Sequence, residues 1–149
     1  MPESNALSVA VEMALRQRDD ARRSLQDARS ASQAAQAQLD QLEGYARETQ
    51  NRWGMRPNAA VQPEVMYHHY QFMDRLGHAA GLQTDVVGQH AERVGAAERS
   101  LLEAELRLAS LKKLVEKRQR DALQAQMRRE QKQTDERAAL QYRQSFNGS

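Results

Sequence analysis

The sequence predicts an all-α protein: a long antiparallel two-helix coiled coil, or helical hairpin, with an overhanging C-terminal helix. Three observations predict it. Small and apolar residues recur at alternating steps of three and four along two stretches, the signature of a coiled-coil seam. Only the stretch from about Gln50 to Pro63 interrupts that pattern. The composition is that of long helices, with 28% charged residues, 5% aromatics and only 7 glycines and 3 prolines in 149 residues. Strands and tight turns are poorly served by such a chain. Residues 1–149 therefore read as one coiled-coil domain.

The first helix is predicted over residues 5–49. Ser4 or Asn5 supplies a side-chain acceptor for the free N–H groups of the first turn. Its seam runs Leu7, Val11, Ala14, Arg18, Ala21, Leu25, Ala28, Ser32, Ala35, Leu39, Leu42 and Ala46. A turn region follows over 50–63, through Asn51-Arg52-Trp53-Gly54-Met55-Arg56-Pro57-Asn58. Pro57 pushes Arg56 out of the helical region, and Gly54 and Asn58 tolerate turn geometry. Pro63 suits the first turn of the second helix, where its missing N–H costs nothing. That helix is predicted over 64–141, with a seam at His69, Met73, Leu76, Ala80, Gln83, Val87, His90, Val94, Ala97, Leu101, Ala104 and Leu108.

The two seams match each other in an antiparallel sense. Pairing Leu42 with Met73, Leu39 with Leu76, Ala28 with Val87, Ala14 with Leu101 and Leu7 with Leu108 brings seam to seam throughout. The midpoint of that register falls at Pro57–Asn58. A register displaced by one heptad keeps the turn in the same linker, because the pattern repeats every seven residues. A parallel dimer of one continuous helix would carry Pro57 and Pro63 internally, at about 3 kcal/mol each. Ala35, Ser32, Gln83 and Ala28 make the middle of the seam thin. Beyond Leu108 the second helix is predicted to overhang, leaving Leu111, Leu114, Val115, Ala122, Leu123, Ala125 and Met127 without a partner. A lone amphipathic helix is marginal in water.

Composition also limits the chemistry. The chain has no cysteine, which removes disulfide and thiolate chemistry. No apolar run is long enough to span a bilayer, and no leader is evident at the start, so a cytoplasmic location is expected. There is no glycine-rich phosphate loop and no nucleophile elbow, so no cofactor and no enzymatic activity are predicted. Glu64 with His68, and Asp74 with His78, have the i, i+4 spacing of paired metal ligands. Two ligands do not make a site, and the simpler reading is a solvated helix face. Net charge is +2, but the stretch from Lys112 to Arg143 is mainly basic. Its cations are interleaved with Glu116, Asp121, Glu130, Asp135 and Glu136, without interspersed aromatics before Tyr142. Nucleic-acid helices present a cleaner basic face, so nucleic acid is not the expected partner.

Two surfaces remain as interaction candidates. Phe72, Leu76, Ala79 and Gln83 recur as one helical stripe, with Gln38, Leu42 and Tyr45 as a matching stripe on the first helix. Leu42 and Leu76 belong to the seam, and the others flank it. Gly81, Gly88 and Gly95 are seven apart on an outer face, read as tolerated surface glycines. The second surface is the basic overhang.

In its order of motifs the chain resembles the FliJ family, coiled-coil proteins of the bacterial flagellar type III export apparatus. The likeness is carried by Asn5-Ala6-Leu7, by Gln38-Leu39-x-x-Leu42-x-x-Tyr45, and by the Trp53 turn. It continues through Tyr70-Gln71-Phe72-x-x-x-Leu76-x-x-Ala79 and Leu111-x-x-Leu114-x-x-x-Arg118. It ends in Arg128-Arg129-Glu130-Gln131-Lys132-x-x-Asp135-Glu136.

The resemblance implies an antiparallel two-helix coiled coil similar to the stalk subunit of rotary ATPases. It implies insertion into the hexameric flagellar export ATPase, contact with the export-gate membrane protein FlhA, and a link to export chaperones. It implies a cytoplasmic protein held at the inner membrane of the flagellar base through those partners. Gate contact maps onto Phe72, Leu76 and Ala79, with Gln83, Gln38, Leu42 and Tyr45 around them. Gln83 stands where relatives can carry histidine and Thr49 where an aromatic can occur, so the pattern departs there. ATPase contact maps onto the end carrying Leu111, Leu114, Arg118, Arg128, Arg129 and Lys132. The alternative is a coiled-coil adaptor, or an injectisome stalk homologue, that self-associates through its C-terminal helix.

Overall fold

The computed structural model describes residues 2–54 and 62–147. These form two long helices that pack against each other, α1 (Pro2–Gly54) and α2 (Pro63–Asn147). The turn predicted at Pro57–Asn58 lies outside the described residues. Both helices exceed the predicted spans of 5–49 and 64–141. α1 starts with Pro2 in its first turn, upstream of the predicted caps at Ser4 or Asn5. At its other end it runs past Thr49 as far as Gly54, so Asn51, Arg52 and Trp53 are helical and not part of a turn. Pro63 opens α2 as predicted, and the N–H groups of Val65 and Met66 bond to the carbonyl of Gln62 at 3.0 and 3.2 Å.

The chain forms two compact units, each containing a piece of both helices. The central unit is Gln17–Ala104. Its seam holds the predicted residues: Leu25, Ala35 and Leu39 are buried, and Ala21, Ala28, Ser32, Leu42 and Ala46 are half-buried. From α2, His69, Met73, Leu76, Ala80, Gln83, Val87, His90, Val94, Ala97, Leu101 and Ala104 are half-buried. Thr49 and Trp53 extend the seam by one more heptad, and both are half-buried. The terminal unit is Met1–Arg16 with Glu105–Ser149. There Ala14 and Leu108 are 2% and 4% exposed, the two best-covered residues of the core. Leu7, Val11, Leu111 and Val115 are half-buried around them.

The register differs from the one drawn from sequence by one heptad. In the central unit the Trp53 indole stacks on the His69 imidazole at 4.1 Å, which places Trp53 opposite His69. Stepping along the seam then sets Ala46 against Leu76, Leu39 against Gln83, and Leu25 against Ala97. In the terminal unit one groove is lined by Leu7 and Val11 together with Val115, Arg118 and Ala122, where the sequence had set Leu7 against Leu108. A seven-residue slip leaves every seam residue facing a seam residue, so seam pattern alone cannot choose. The flanks choose. In this register Tyr45 meets Phe72 edge-on at 6.0 Å, and Arg29 reaches Glu98 at 3.7 Å. The slip also gives Trp53 a partner and covers Leu111 and Val115.

Two of the seam's polar residues, Gln83 and Arg18, have hydrogen-bonding partners. The Gln83 amide, in the layer of Leu39, donates from Nε2 to the Ala35 carbonyl at 2.9 Å and to Gln38 Oε1 at 3.2 Å. Arg18 lies against the Asp19 carboxylate at 3.0 Å. By contrast, of the heptad-spaced glycines Gly81 and Gly88 carry a cost without a packing role, whereas Gly95 is half-buried beside Arg99. A Cβ built at Gly81 or Gly88 meets nothing within 4 Å, and neither has positive φ. Gly81→Ala and Gly88→Ala each raise stability by about 0.5–1 kcal/mol, read as a higher midpoint in thermal melts followed by circular dichroism. An unchanged or lower midpoint would assign these glycines a contact role.

Candidate functional site

The central unit brings the predicted gate-binding residues together on one flank of the seam. Each arrives by helical spacing. Phe72 and Ala79 are seven apart and occupy the position just before a seam residue, as do Gln38 and Tyr45 on α1. Leu42, Leu76 and Gln83 lie in the seam itself and are half-buried, as is Ala79. Phe72 and Tyr45 are 39% and 52% exposed and touch in a T-shaped arrangement at 85°. An edge-to-face pair fixes the direction of both rings while leaving a face of each open to solvent. A shallow groove of about 490 Å³ beside them is lined by Gln38, Gln41, Leu42, Tyr45 and Gln83.

The geometry sorts these residues by role. Tyr45, Phe72 and Gln38 are available to a partner. Leu42 and Leu76 hold the helices together and offer only an edge. The donor group of Gln83 is already engaged across the seam, so this side chain organises Gln38. Two residues missing from the sequence-based set belong here. Gln41 lines the groove. Val86, 36% exposed, continues the Phe72–Ala79 row at the next heptad, a recurrence visible in the sequence. The flank is uncharged at its centre, and an apolar patch rimmed by polar groups is what docking surfaces present.

The terminal unit places the other set differently from expectation. Leu111 and Val115 are not exposed on an overhang; they lie in the seam beside α1, because the slipped register carries Leu7 and Val11 further along α2. Leu114 is 39% exposed and flanks that seam. The open groove formed by Leu7, Ser8, Val11, Glu12, Val115, Arg118, Gln119 and Ala122 measures about 480 Å³. Beyond it, every described residue from Leu123 to Asn147 is exposed except Ala125. Arg128, Arg129 and Lys132 are therefore on bare helix, as are Leu123 and Met127 at 59% and 60% exposure.

Neither surface converges on a reacting atom. Among the described residues no group of three or more His, Asp or Glu side chains is placed to hold a metal ion. Glu64 and His68 lie on the exposed first turns of α2, near Val65, Met66, Tyr67 and Tyr70. No helix among the described residues is long and apolar enough to cross a membrane. What the two helices offer is surface at two places along their length.

Two comparisons with known proteins agree with each other. The sequence profile described as "Flagellar FliJ protein" matches residues 3–146. The chain is also similar to the Flagellar FliJ protein of Escherichia coli (strain K12). The two are 30% identical over 143 residues, covering 94% of this chain and 97% of the relative. A match that runs through both helices with their intervening linker is a match to the whole hairpin, and the chain belongs to the FliJ family of flagellar proteins.

Proposed function

We propose that this protein is a non-enzymatic, stalk-like component of the flagellar type III export apparatus. In this reading its terminal unit binds the hexameric export ATPase and promotes its assembly and activity. The flank bearing Tyr45 and Phe72 binds the export gate, FlhA, and the protein sits at the inner membrane of the flagellar base through these partners. Handling of export chaperones falls to the same exposed surfaces.

The observation that carries the reading is the bare end of α2. It extends as helix to Asn147, with basic and apolar side chains exposed and no neighbouring helix against it beyond the groove. An isolated helix of this kind gains most of its stability from a surface that covers its apolar side chains. A ring of ATPase subunits with an acidic pore offers such a surface, and Arg118, Arg128, Arg129 and Lys132 give it matching charge. Family membership supports the flagellar setting.

Leu111 holds the seam, so an aspartate there would loosen the hairpin and confuse binding with folding. Leu114→Asp avoids the seam. It is expected to lower stimulation of the purified export ATPase about tenfold, a loss near 1.4 kcal/mol of coupling, with helicity unchanged. Full stimulation by this variant, retained when Arg128→Glu and Arg129→Glu are added, would remove the terminal unit from the mechanism.

A further inference from the structure

The exposed end of α2 carries a charge order that is complementary to itself when two copies run in opposite directions. Continuing the seam past Val115 with the same alternating steps gives Arg118, Ala122, Ala125, Arg129, Lys132, Glu136, Ala139 and Arg143. The alanines allow close approach of a second helix. Arg128, Lys132, Asp135 and Glu136 are all exposed, and none makes an ion pair among the described residues. Lys132 and Glu136 are one turn apart on the same helix, yet they do not pair with each other.

The hairpin itself supplies the rule for what such a pairing brings together. Ala46 faces Leu76 in the seam. Tyr45, one residue before Ala46, meets Phe72, one turn before Leu76. If Glu136 of one copy faces Lys132 of a second copy, Asp135 takes the place of Tyr45 and meets Arg128 of the second copy. The two-fold axis repeats both contacts, so two seam pairs and two flank pairs form together. Arg129 and Arg143 then face alanines, Ala139 and Ala125 of the second copy, over which their stems can extend to solvent.

Antiparallel pairings one heptad to either side, and a parallel pairing, fail on the same charges. Sliding one heptad in one direction sets Arg129 against Lys132 and Arg128 against Arg128 of the second copy. Sliding one heptad the other way sets Lys132 against Arg143 and Asp135 against Asp135. A parallel pairing stacks Arg129, Lys132, Glu136 and Arg143 each on its own counterpart. Like charges at facing positions are repelled, and coiled coils use this to select orientation and register.

We infer that this face of α2 binds the same face of a second copy, antiparallel, with Lys132 facing Glu136 and Arg128 facing Asp135. Little apolar area is covered, so the association is weak and salt-sensitive, with a Kd on the order of 100 µM at low ionic strength. The face overlaps the one assigned above to the ATPase. If that assignment holds, self-pairing is the stored form that the ATPase displaces, but the pairing stands or falls without the ATPase present.

Sedimentation equilibrium of the full chain, from low to several hundred micromolar, tests this. A concentration-dependent dimer is expected at about 20 mM salt, dissociating at about 500 mM. Arg128→Asp and Asp135→Arg each weaken it about tenfold or more, with helicity by circular dichroism unchanged. The double variant Arg128→Asp/Asp135→Arg regains the dimer with itself and does not form mixed dimers with the unaltered chain. A monomer throughout at low salt overturns the inference. So does a dimer indifferent to the single reversals, which would place association on another face.

Discussion

Leu108→Ala lowers stability by about 2–4 kcal/mol and loosens the terminal unit before the central one. Leu108 is 4% exposed and lies in the layer of Ala14, itself 2% exposed, so no larger side chain in that layer can fill the space left behind. The neighbouring layers, Leu7 with Val115 and Val11 with Leu111, depend on the same alignment of the two helices. Total stabilities of small domains are only about 5–15 kcal/mol, so a loss of this size is a large share of the whole. Thermal melts followed by circular dichroism read the total effect. Hydrogen exchange reads its location: amides of Leu7–Arg16 and Glu105–Val115 lose protection first. Uniform loss along both helices would mean that the hairpin melts as one cooperative block.

Phe72→Ala is expected to weaken binding to the export gate by about 2 kcal/mol, or roughly thirtyfold, while leaving ATPase stimulation and helicity intact. The ring is 39% exposed and contributes little to the seam, so its removal takes away contact surface without opening the core. Tyr45→Ala is expected to do the same, since each ring fixes the direction of the other at 6.0 Å. The double variant costs less than the sum of the two single losses, as it does for residues that act as a unit. Leu76→Ala serves as the contrast. It is half-buried in the seam, so it lowers the melting midpoint as well as gate affinity. Full gate binding by the Tyr45→Ala/Phe72→Ala chain would dismiss this flank as the docking surface.

Both tests use distinctions that periodicity alone does not make. Heptad spacing identified which residues are covered: all twelve seam residues read from each stretch of sequence are buried or half-buried in the folded hairpin. It identified Phe72 and Tyr45 as flanking residues, and the helical stripe carried Gln38 and Ala79 to the same side. It did not reveal that the Gln83 amide is committed to Ala35 and Gln38, because a contact between residues 48 apart depends on the alignment of the helices. Nor did it reveal that Leu111 is covered, for the same reason. Gln41 was missed because its place in the groove follows from the neighbour across the seam and not from its own stripe.

The composition and the three-four spacing of this chain determined by themselves that it is two long helices, which face of each is covered, and that they run antiparallel. Such properties are local or repeat with the helix period, so each turn of chain carries them. The register was left to tertiary structure, since a slip of seven residues returns every seam residue to an equivalent place. The tie was broken by contacts that do not repeat: the stack of Trp53 on His69, the pairing of Tyr45 with Phe72, and the reach of Arg29 to Glu98. Those contacts decided which side chains the seam encloses and which remain available to a partner.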